Sequence, residues 1–535
     1  MTESDLPVVE MIRPRWGNPA TPGSLPPVAE QALGALGVTG PRPAVAPDQI
    51  EVALSVLTDD ARRAIADIVG AEHITVDDVE RIQHTRGYST PDLLKMRAGD
   101  VTDAPDAVVF PGTHEEVVAV LGACAEHRVA VVPFAGGTSV VGGLVAARDG
   151  FNGVVALDVR RLDRLVAVDE VSRTATLEAG MRGPLAEQLL NAQGLTLGHF
   201  PQSFEGASIG GYAAARSAGQ SSAGYGRFDE MVVGLVVATP RGTLTMGTAP
   251  KSAAGPDLRQ LVLGSEGAFG VITAVTVEVH PVPAVRRFEG WHFASFADGA
   301  AALRTLVQDG PLPTVVRLSD EVETAVNLAD PTGATESAGG CLVITGYEGE
   351  ATDVANRREM ASAVLTARGG TALGEQPGEA WRAGRYRGPY LRDPLLDAGV
   401  LVETLETVTF WSNLDTVKAA VTSALTESLG GQGTPPLVMC HISHVYHSGA
   451  SLYFTVITAQ GDDPIAQWQQ AKSRANAAIR SAGAAITHHH GVGTDHRDTF
   501  AEEIGPIAVE VLAAVKNTLD PVGILNPGVL IGTAH

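Results

Sequence analysis

The chain has 535 residues, 44% hydrophobic and 19% charged, the balance of a globular protein long enough for more than one core. Its net charge of −23 excludes nucleic acid as a partner, because phosphate would be repelled, but leaves room for an anionic small molecule that answers to local charge. Cys124, Cys341 and Cys440 are far apart and form no CxxC motif, which fits a reducing compartment. The first residues carry acids where a secretory leader needs bases, and no apolar run reaches about 18 residues. The expected location is cytoplasmic.

In chain order, residues 1–50 are rich in Pro, Ala and Gly and read as an irregular arm with a short helical piece. Residues 51–100 read as helical, ending near Tyr88-Ser89-Thr90-Pro91. From Ala104 the pattern changes: 107–111 is a short apolar strand, 114–127 has helical spacing, and 129–133 is a second strand running into glycine. Strands and helices then alternate as far as His280, and Pro281-Val282-Pro283 reads as a boundary. The next region mixes strands (341–346, 438–446, 452–457) with helices (298–308, 351–367, 414–428, 464–482). Its last two strands are joined by the turn His447-Ser448-Gly449-Ala450. A final segment carries the run His488-His489-His490 and a helix over 506–519. The expected organisation is an arm and helical region (1–103), a first α+β domain (104–283), a second α+β domain (284–484) and a C-terminal segment (485–535).

Three glycine-rich segments fall in the first domain. Pro133-Phe134-Ala135-Gly136-Gly137-Thr138-Ser139 follows a strand, and its glycines let backbone N–H groups encircle a phosphate without side-chain clashes. It lacks the Lys-Ser/Thr of a nucleoside-triphosphate loop and the GxGxxG order of a classical dinucleotide fold, and alone it is equally a turn between strands. Gln202-Ser203-Phe204-Glu205-Gly206-Ala207-Ser208 and Gly264-Ser265-Glu266-Gly267-Ala268-Phe269-Gly270 are further segments of the kind. Three such loops suit a long, pyrophosphate-bridged dinucleotide held by backbone.

As a set, these loops resemble the FAD-binding domain of the vanillyl-alcohol-oxidase type, which implies an α+β fold with a two-part FAD domain and a cap domain over it. Carried onto this sequence, the FAD-contacting positions are Pro133, Phe134, Ala135, Gly136, Gly137, Thr138 and Ser139; Gln202, Ser203 and Ser208; Ala215, Arg216, Ser217 and Ala218; and Gly264, Ser265, Glu266, Gly267, Ala268, Phe269, Gly270 and Ile272. FAD is expected to be non-covalent. Tyr390-Leu391-Arg392-Asp393, the segment from His444 to Phe454 (HVYHSGASLYF) and HHHGVG further resemble the alkyldihydroxyacetonephosphate synthase family, over roughly 80–531 and in the Arg15-Trp16-Gly17 arm. That resemblance implies exchange of the acyl group of acyl-dihydroxyacetone phosphate for a fatty alcohol, without net redox change, through a covalent adduct at flavin N5. It implies lipid-like substrates, a hydrophobic tunnel, peripheral membrane contact and a homodimer.

The resemblance also assigns roles. Tyr446 is the catalytic tyrosine, and His489 of the run His488, His489 and His490 is expected beside it, helping a phenol of pKa about 10 to accept a proton. Arg392 is the substrate-phosphate clamp, a guanidinium fork matched to phosphate. Arg382, Arg385 and Arg387 cluster with it, some of them reading as a solvated face. Thr404 stands where the family has a serine near the phosphate, and Arg317 matches an arginine near the flavin, the plain alternative being an edge-strand salt bridge. For the triple histidine two other readings stay open. It is packed structurally near a turn, or His488 and His490, on one side of a strand with His489 on the other, chelate zinc with His441, His444 or His447. No metal is expected.

The chain departs from the family at His447, where the family has an acid, and at Thr407-Val408-Thr409-Phe410-Trp411, where substrate range is open to change. No C-terminal Ser-Lys-Leu address is present. The runner-up is a flavin-dependent 2-hydroxyacid dehydrogenase of the D-lactate or glycolate type, which typically carries a Gly-Asp-Gly-Asn stretch missing here. A flavin-binding protein without catalysis is the third reading.

Overall fold

Two sheets in the first half of the chain face a larger one in the second. The computed structural model describes residues 6–17, 23–25, 33–145, 147–327 and 339–532. In the first 50 residues, where an irregular arm with a short helical piece is expected, the helical element among the described residues is a 3-10 turn, Pro47–Gln49.

The first sheet has the order Ile74–Thr75, Ala107–Val109, Val154–Asp158, Ala130–Phe134, parallel except at its first pair. Its central strands are buried along their whole length because both faces are covered, and they are apolar except at Asp158, whose carboxylate is met by His84 and Arg160. Ile74–Thr75 ties the preceding helical region to this sheet by pairing with Val108 and Val109. Residues 51–100 are less helical than expected: helices Asp59–Val69, Asp78–Gln83 and Thr90–Arg97 are separated by that strand and by turns. The second sheet is antiparallel, in the order Leu165–Asp169, Thr174–Glu178, Val271–Glu278, Val232–Thr239, Gly242–Met246. The helix His114–His127 packs against the strands of this domain. Its start is set by the Thr113 hydroxyl, which accepts from Glu116 N–H, and its end by Arg128 in the left-handed conformation.

Leu195–Thr196 and His280–Pro281 form a small two-stranded sheet, and the largest sheet has eight strands. Along its main path the order is Thr371–Gly374, Val285–Phe293, Cys341–Gly349, Val315–Ser319, Leu437–Ile442, Gly449–Ala459, Val400–Phe410, and Val445–Tyr446 pairs separately with Gly449–Ala459. One face packs on the helices Phe296–Asp309, Ala351–Ala367, Leu414–Gly431 and Pro464–Ser481, forming a core distinct from that of the first domain. The other face is open to the first domain. The C-terminal segment crosses back to that domain: Leu525 bridges in parallel to Val131, and Asn526 N–H donates to the Val131 carbonyl.

Candidate active site

A cavity of about 880 Å³ lies between the glycine loops and the open face of the large sheet, a size in the range of cofactor clefts. The first loop is tight. A Cβ on Gly136 would sit 2.2 Å from the Gly206 carbonyl oxygen, so the first and second glycine segments touch backbone to backbone. Gly137 has φ +64°, where a side chain is strained. Gln220 lines the same wall and its Oε1 is buried with no hydrogen-bond partner among the described residues. Close-packed loop backbone, Thr138 and Ser139 hydroxyls and an orphaned amide oxygen are the features a dinucleotide fits.

Pro133 through Ser139, Gln202, Ser203, Ser208, Ala215, Ser217, Ala218, Glu266, Gly267, Gly270 and Ile272, all named from the loops, line this cavity. Five positions do not. Arg216 sits at φ +50° as the C-cap of the helix Ile209–Ala215 and turns outward to the Leu263 carbonyl and Gln260. Gly264 packs beneath that side chain, and Ser265 is buried outside the cavity's lining, its hydroxyl without a hydrogen-bond partner among the described residues. Ala268 and Phe269 pack instead into a small core with Val529, Leu530 and Ile531. Contiguity along a loop overreached here, because a turn presents only some of its residues to one side.

Strand alternation builds the opposite wall. Ser319 pairs with His441, His441 with Tyr453, and Tyr453 with Glu406, so one row crosses four neighbouring strands. Arg317, Thr404, Thr455 and Met439 lie two residues along these strands, and all four face the cavity. Arg317 is on a central strand rather than an edge. Its Nη2 meets Glu323 at 2.9 Å and His441 Nδ1 at 3.0 Å. Burial raises the Glu323 pKa, but His441 and Arg317 outweigh it and hold the carboxyl well below its ordinary range. Arg392 comes from the helix Gly388–Asp397 and lines the cavity with its Nε lacking a hydrogen-bond partner among the described residues. Of the clustered arginines, Arg382 pairs with Glu379 at the surface, whereas Arg385 and Arg387 join Arg392 in the wall.

The histidine run is not a strand. It folds over the end of the sheet row, its backbone N–H groups converging on Glu406. His489 and His490 line the cavity, while His488 and Tyr446 stand behind that wall. The expected contact between Tyr446 and His489 is therefore indirect. Tyr446 Oη lies 2.5 Å from His488 Nε2, and His488 Nδ1 lies 2.8 Å from His489 Nδ1. Burial lowers the pKa of His488, His489 and His490, the last to about 3, so these imidazoles are neutral near pH 7. Burial also raises the Tyr446 pKa; Arg227 hydrogen-bonds the phenol and pulls the other way. Arg227 is itself held by the Asp229 carboxylate, at 2.9 and 3.2 Å.

His444, His488 and His489 bring one ring nitrogen each within 4.8 Å of one another, the nearest approach to the zinc arrangement. Their partners favour a different reading. His444 Nδ1 is engaged by Ser222 Oγ at 2.7 Å, both nitrogens of His488 are engaged, and the His444 and His488 rings are stacked at 4.9 Å rather than splayed about a centre. This is a hydrogen-bonded stack. The glycines after the run serve passage. A Cβ on Gly493 would lie 1.9 Å from the Val141 carbonyl oxygen, and one on Gly491 would lie 2.6 Å from Glu266.

Sequence reasoning missed the roles of Glu406, Glu323, Arg227 and Tyr453. Alternation along 437–442 and 449–459 puts His441 and Tyr453 on one face and was the available signal. Nothing local marks Arg227, which reaches Tyr446 from another domain.

Two family models cover most of this architecture: the FAD binding domain over residues 105–247 and the FAD linked oxidases, C-terminal domain, over 282–530. An alkyldihydroxyacetonephosphate synthase of Dictyostelium discoideum is 34% identical over 479 residues, 85% of this chain and 78% of the relative. A solved alkyldihydroxyacetonephosphate synthase superposes with a TM-score of 0.82 at 29% identity, covering 98% of this chain and 95% of its own. A mitochondrial D-lactate dehydrogenase of Arabidopsis thaliana is 28% identical over 443 residues, a more distant relation. The chain is an FAD-binding enzyme that belongs to the alkyldihydroxyacetonephosphate synthase family.

Proposed function

We propose that the protein exchanges the acyl group of acyl-dihydroxyacetone phosphate for a fatty alcohol on non-covalently held FAD. The carrying observation is a single cavity bounded by the cofactor loops, an arginine with a free N–H, and neutral imidazoles backed by a tyrosine. The loops at 133–139, 202–208 and 266–272 would hold FAD, which when bound would supply the redox-neutral covalent chemistry at the substrate carbon. Arg392 holds the phosphate, with Arg385 and Arg387 adding positive charge to the same wall.

Protons move along the relay. The phenol, kept protonated by burial, donates to His488 Nε2; His488 Nδ1–H then donates to His489 Nδ1, which leaves the Nε2–H of His489 for the cavity side. His489 gives that proton to the departing carboxylate. The shift runs back through His488 and leaves a phenolate facing Arg227. The incoming alcohol then gives its hydroxyl proton to His489 Nε2, and the phenol is restored. The carbon–carboxylate bond breaks, the carbon–alkoxide bond forms, and no electrons are gained or lost overall.

The apolar tails fit the cavity's apolar wall, which includes Leu342, Ile344, Met439 and Ile457. No helix among the described residues is long and apolar enough to cross a membrane. A cytoplasmic, peripherally membrane-associated homodimer is the setting we propose.

The test is incubation of the yellow holoenzyme with acyl-dihydroxyacetone phosphate and labelled hexadecanol, without an electron acceptor. Label in an ether product together with free fatty acid is expected. Absence of product, with bleaching of the flavin by 2-hydroxyacids, would make the protein a dehydrogenase.

A further inference from the structure

Glu406 takes no part in the proton route above, yet it is the acid most closely bound to the histidine run. It lies on the strand Val400–Phe410 opposite Tyr453 and is 1% exposed. Four consecutive residues of that run donate to its carboxylate: Thr487 Oγ1 at 2.5 Å, His488 N–H at 2.5 Å, His489 N–H at 3.2 Å and His490 N–H at 3.0 Å. Consecutive N–H groups converging on one anion fix the curvature of a peptide as a backbone nest does. No Lys or Arg pairs with this carboxylate among the described residues. The nearest ring nitrogens are His489 Nδ1 at 3.8 Å and His490 Nδ1 at 3.9 Å.

We propose that Glu406 is a positioning residue for the histidine run: its oxygens set the backbone of 488–490, and its charge favours the proton that crosses His489. The inference rests on the functional reading above and adds a residue to it. A relay of 2.8 and 2.5 Å contacts tolerates little displacement, because proton transfer requires hydrogen-bond distance at each link. The run has no regular secondary structure of its own to hold it. It is strung between two buried carboxylates. Glu406 holds 487–490 from the cap sheet, and Glu266, from a cofactor loop, accepts from Val492 N–H at 2.8 Å and Gly493 N–H at 2.9 Å. Each domain thus supplies one anchor to the segment they share. The charge has its own use. The imidazoles are neutral at rest, so a proton arriving at His489 creates a buried cation, and an anion under 4 Å away offsets part of that cost.

Two substitutions separate position from charge. Glu406→Gln keeps the length and loses the charge; Glu406→Asp keeps the charge and shortens the reach. The experiment compares holoenzymes by flavin absorbance, amide hydrogen exchange and steady-state kinetics. Glu406→Gln is expected to retain flavin and to exchange about 10-fold faster at 488–490, with the rest of the chain unchanged. Its kcat is expected to fall about 10²-fold with little change in KM, and Glu406→Asp to keep more of kcat than Glu406→Gln. Unchanged exchange at 488–490, or a Gln variant that equals or exceeds the Asp variant in kcat, would overturn the proposal. If the Gln variant does not fold, Thr487→Val removes one of the same bonds, and a smaller acceleration of the same peptide is expected; none would count against Glu406. A wild-type enzyme that makes no ether product refutes the functional reading on its own control, while the exchange result still decides whether Glu406 holds the run.

Discussion

The two walls of the cavity are made differently. The cofactor wall is loop backbone brought to close approach by glycine, and each loop is a contiguous stretch of sequence. The substrate wall is side chains, collected from four neighbouring strands, a helix and the C-terminal segment. Backbone walls fail through sterics and lose the ligand. Side-chain walls fail through chemistry and lose rate or affinity.

The largest effect is expected on the cofactor wall. Gly136→Ala places a Cβ against the Gly206 carbonyl oxygen and so separates two cofactor loops. The purified variant is expected to lose its flavin absorbance while remaining folded by circular dichroism; full flavin content would show that the loops can part. On the other wall, Arg392→Ala is expected to raise KM for a phosphorylated substrate about 10-fold or more while leaving flavin bound, since a charge-assisted hydrogen bond is lost. An unchanged KM would move the phosphate to Arg385 or Arg387.

A milder effect comes from acid. Burial lowers the pKa of His199, His441, His444, His488, His489, His490 and His496. These groups take up protons first in the unfolded chain, so the unfolded state gains protons as pH drops below their ordinary value of 6.5. The stability these groups contribute is complete above that pH and declines below it, as the unfolded chain binds protons that the buried imidazoles do not. Thermal midpoints are expected to hold above pH 6.5 and to fall steadily from there toward about pH 5. A flat profile would mean that the histidines titrate normally in the folded protein.

The same contrast explains what was legible in the sequence. Glycine loops announce themselves because the backbone constraint is local, and most of the anticipated FAD contacts face the cavity. The exceptions, Arg216, Gly264, Ser265, Ala268 and Phe269, share a loop with true wall residues but point elsewhere. Two helix boundaries followed from periodicity, Ala351–Ala367 in the second domain and Pro506–Leu519 in the C-terminal segment, whereas the single strand expected over 438–446 is two, Leu437–Ile442 and Val445–Tyr446, and Gly449, expected in the turn, already begins the next strand. The histidine run was visible and its geometry was not. Strand alternation predicts His488 and His490 on one side, but the peptide coils about Glu406, so His489 and His490 face the cavity and His488 meets Tyr446. That carboxylate lies more than eighty residues away in sequence. No local pattern encodes it, nor the reach of Arg227 to Tyr446.

The central claim is that Tyr446, His488 and His489 act as one relay, with His489 presenting it to the substrate. The most direct measurement is kcat for Tyr446→Phe, His489→Ala and the double variant, all with flavin bound. A relay is one unit, so each single change is expected to cost about 10²-fold and the double change little more than the worse single one. Losses that multiply in the double variant would mean that the two residues work independently and that the relay does not carry the proton.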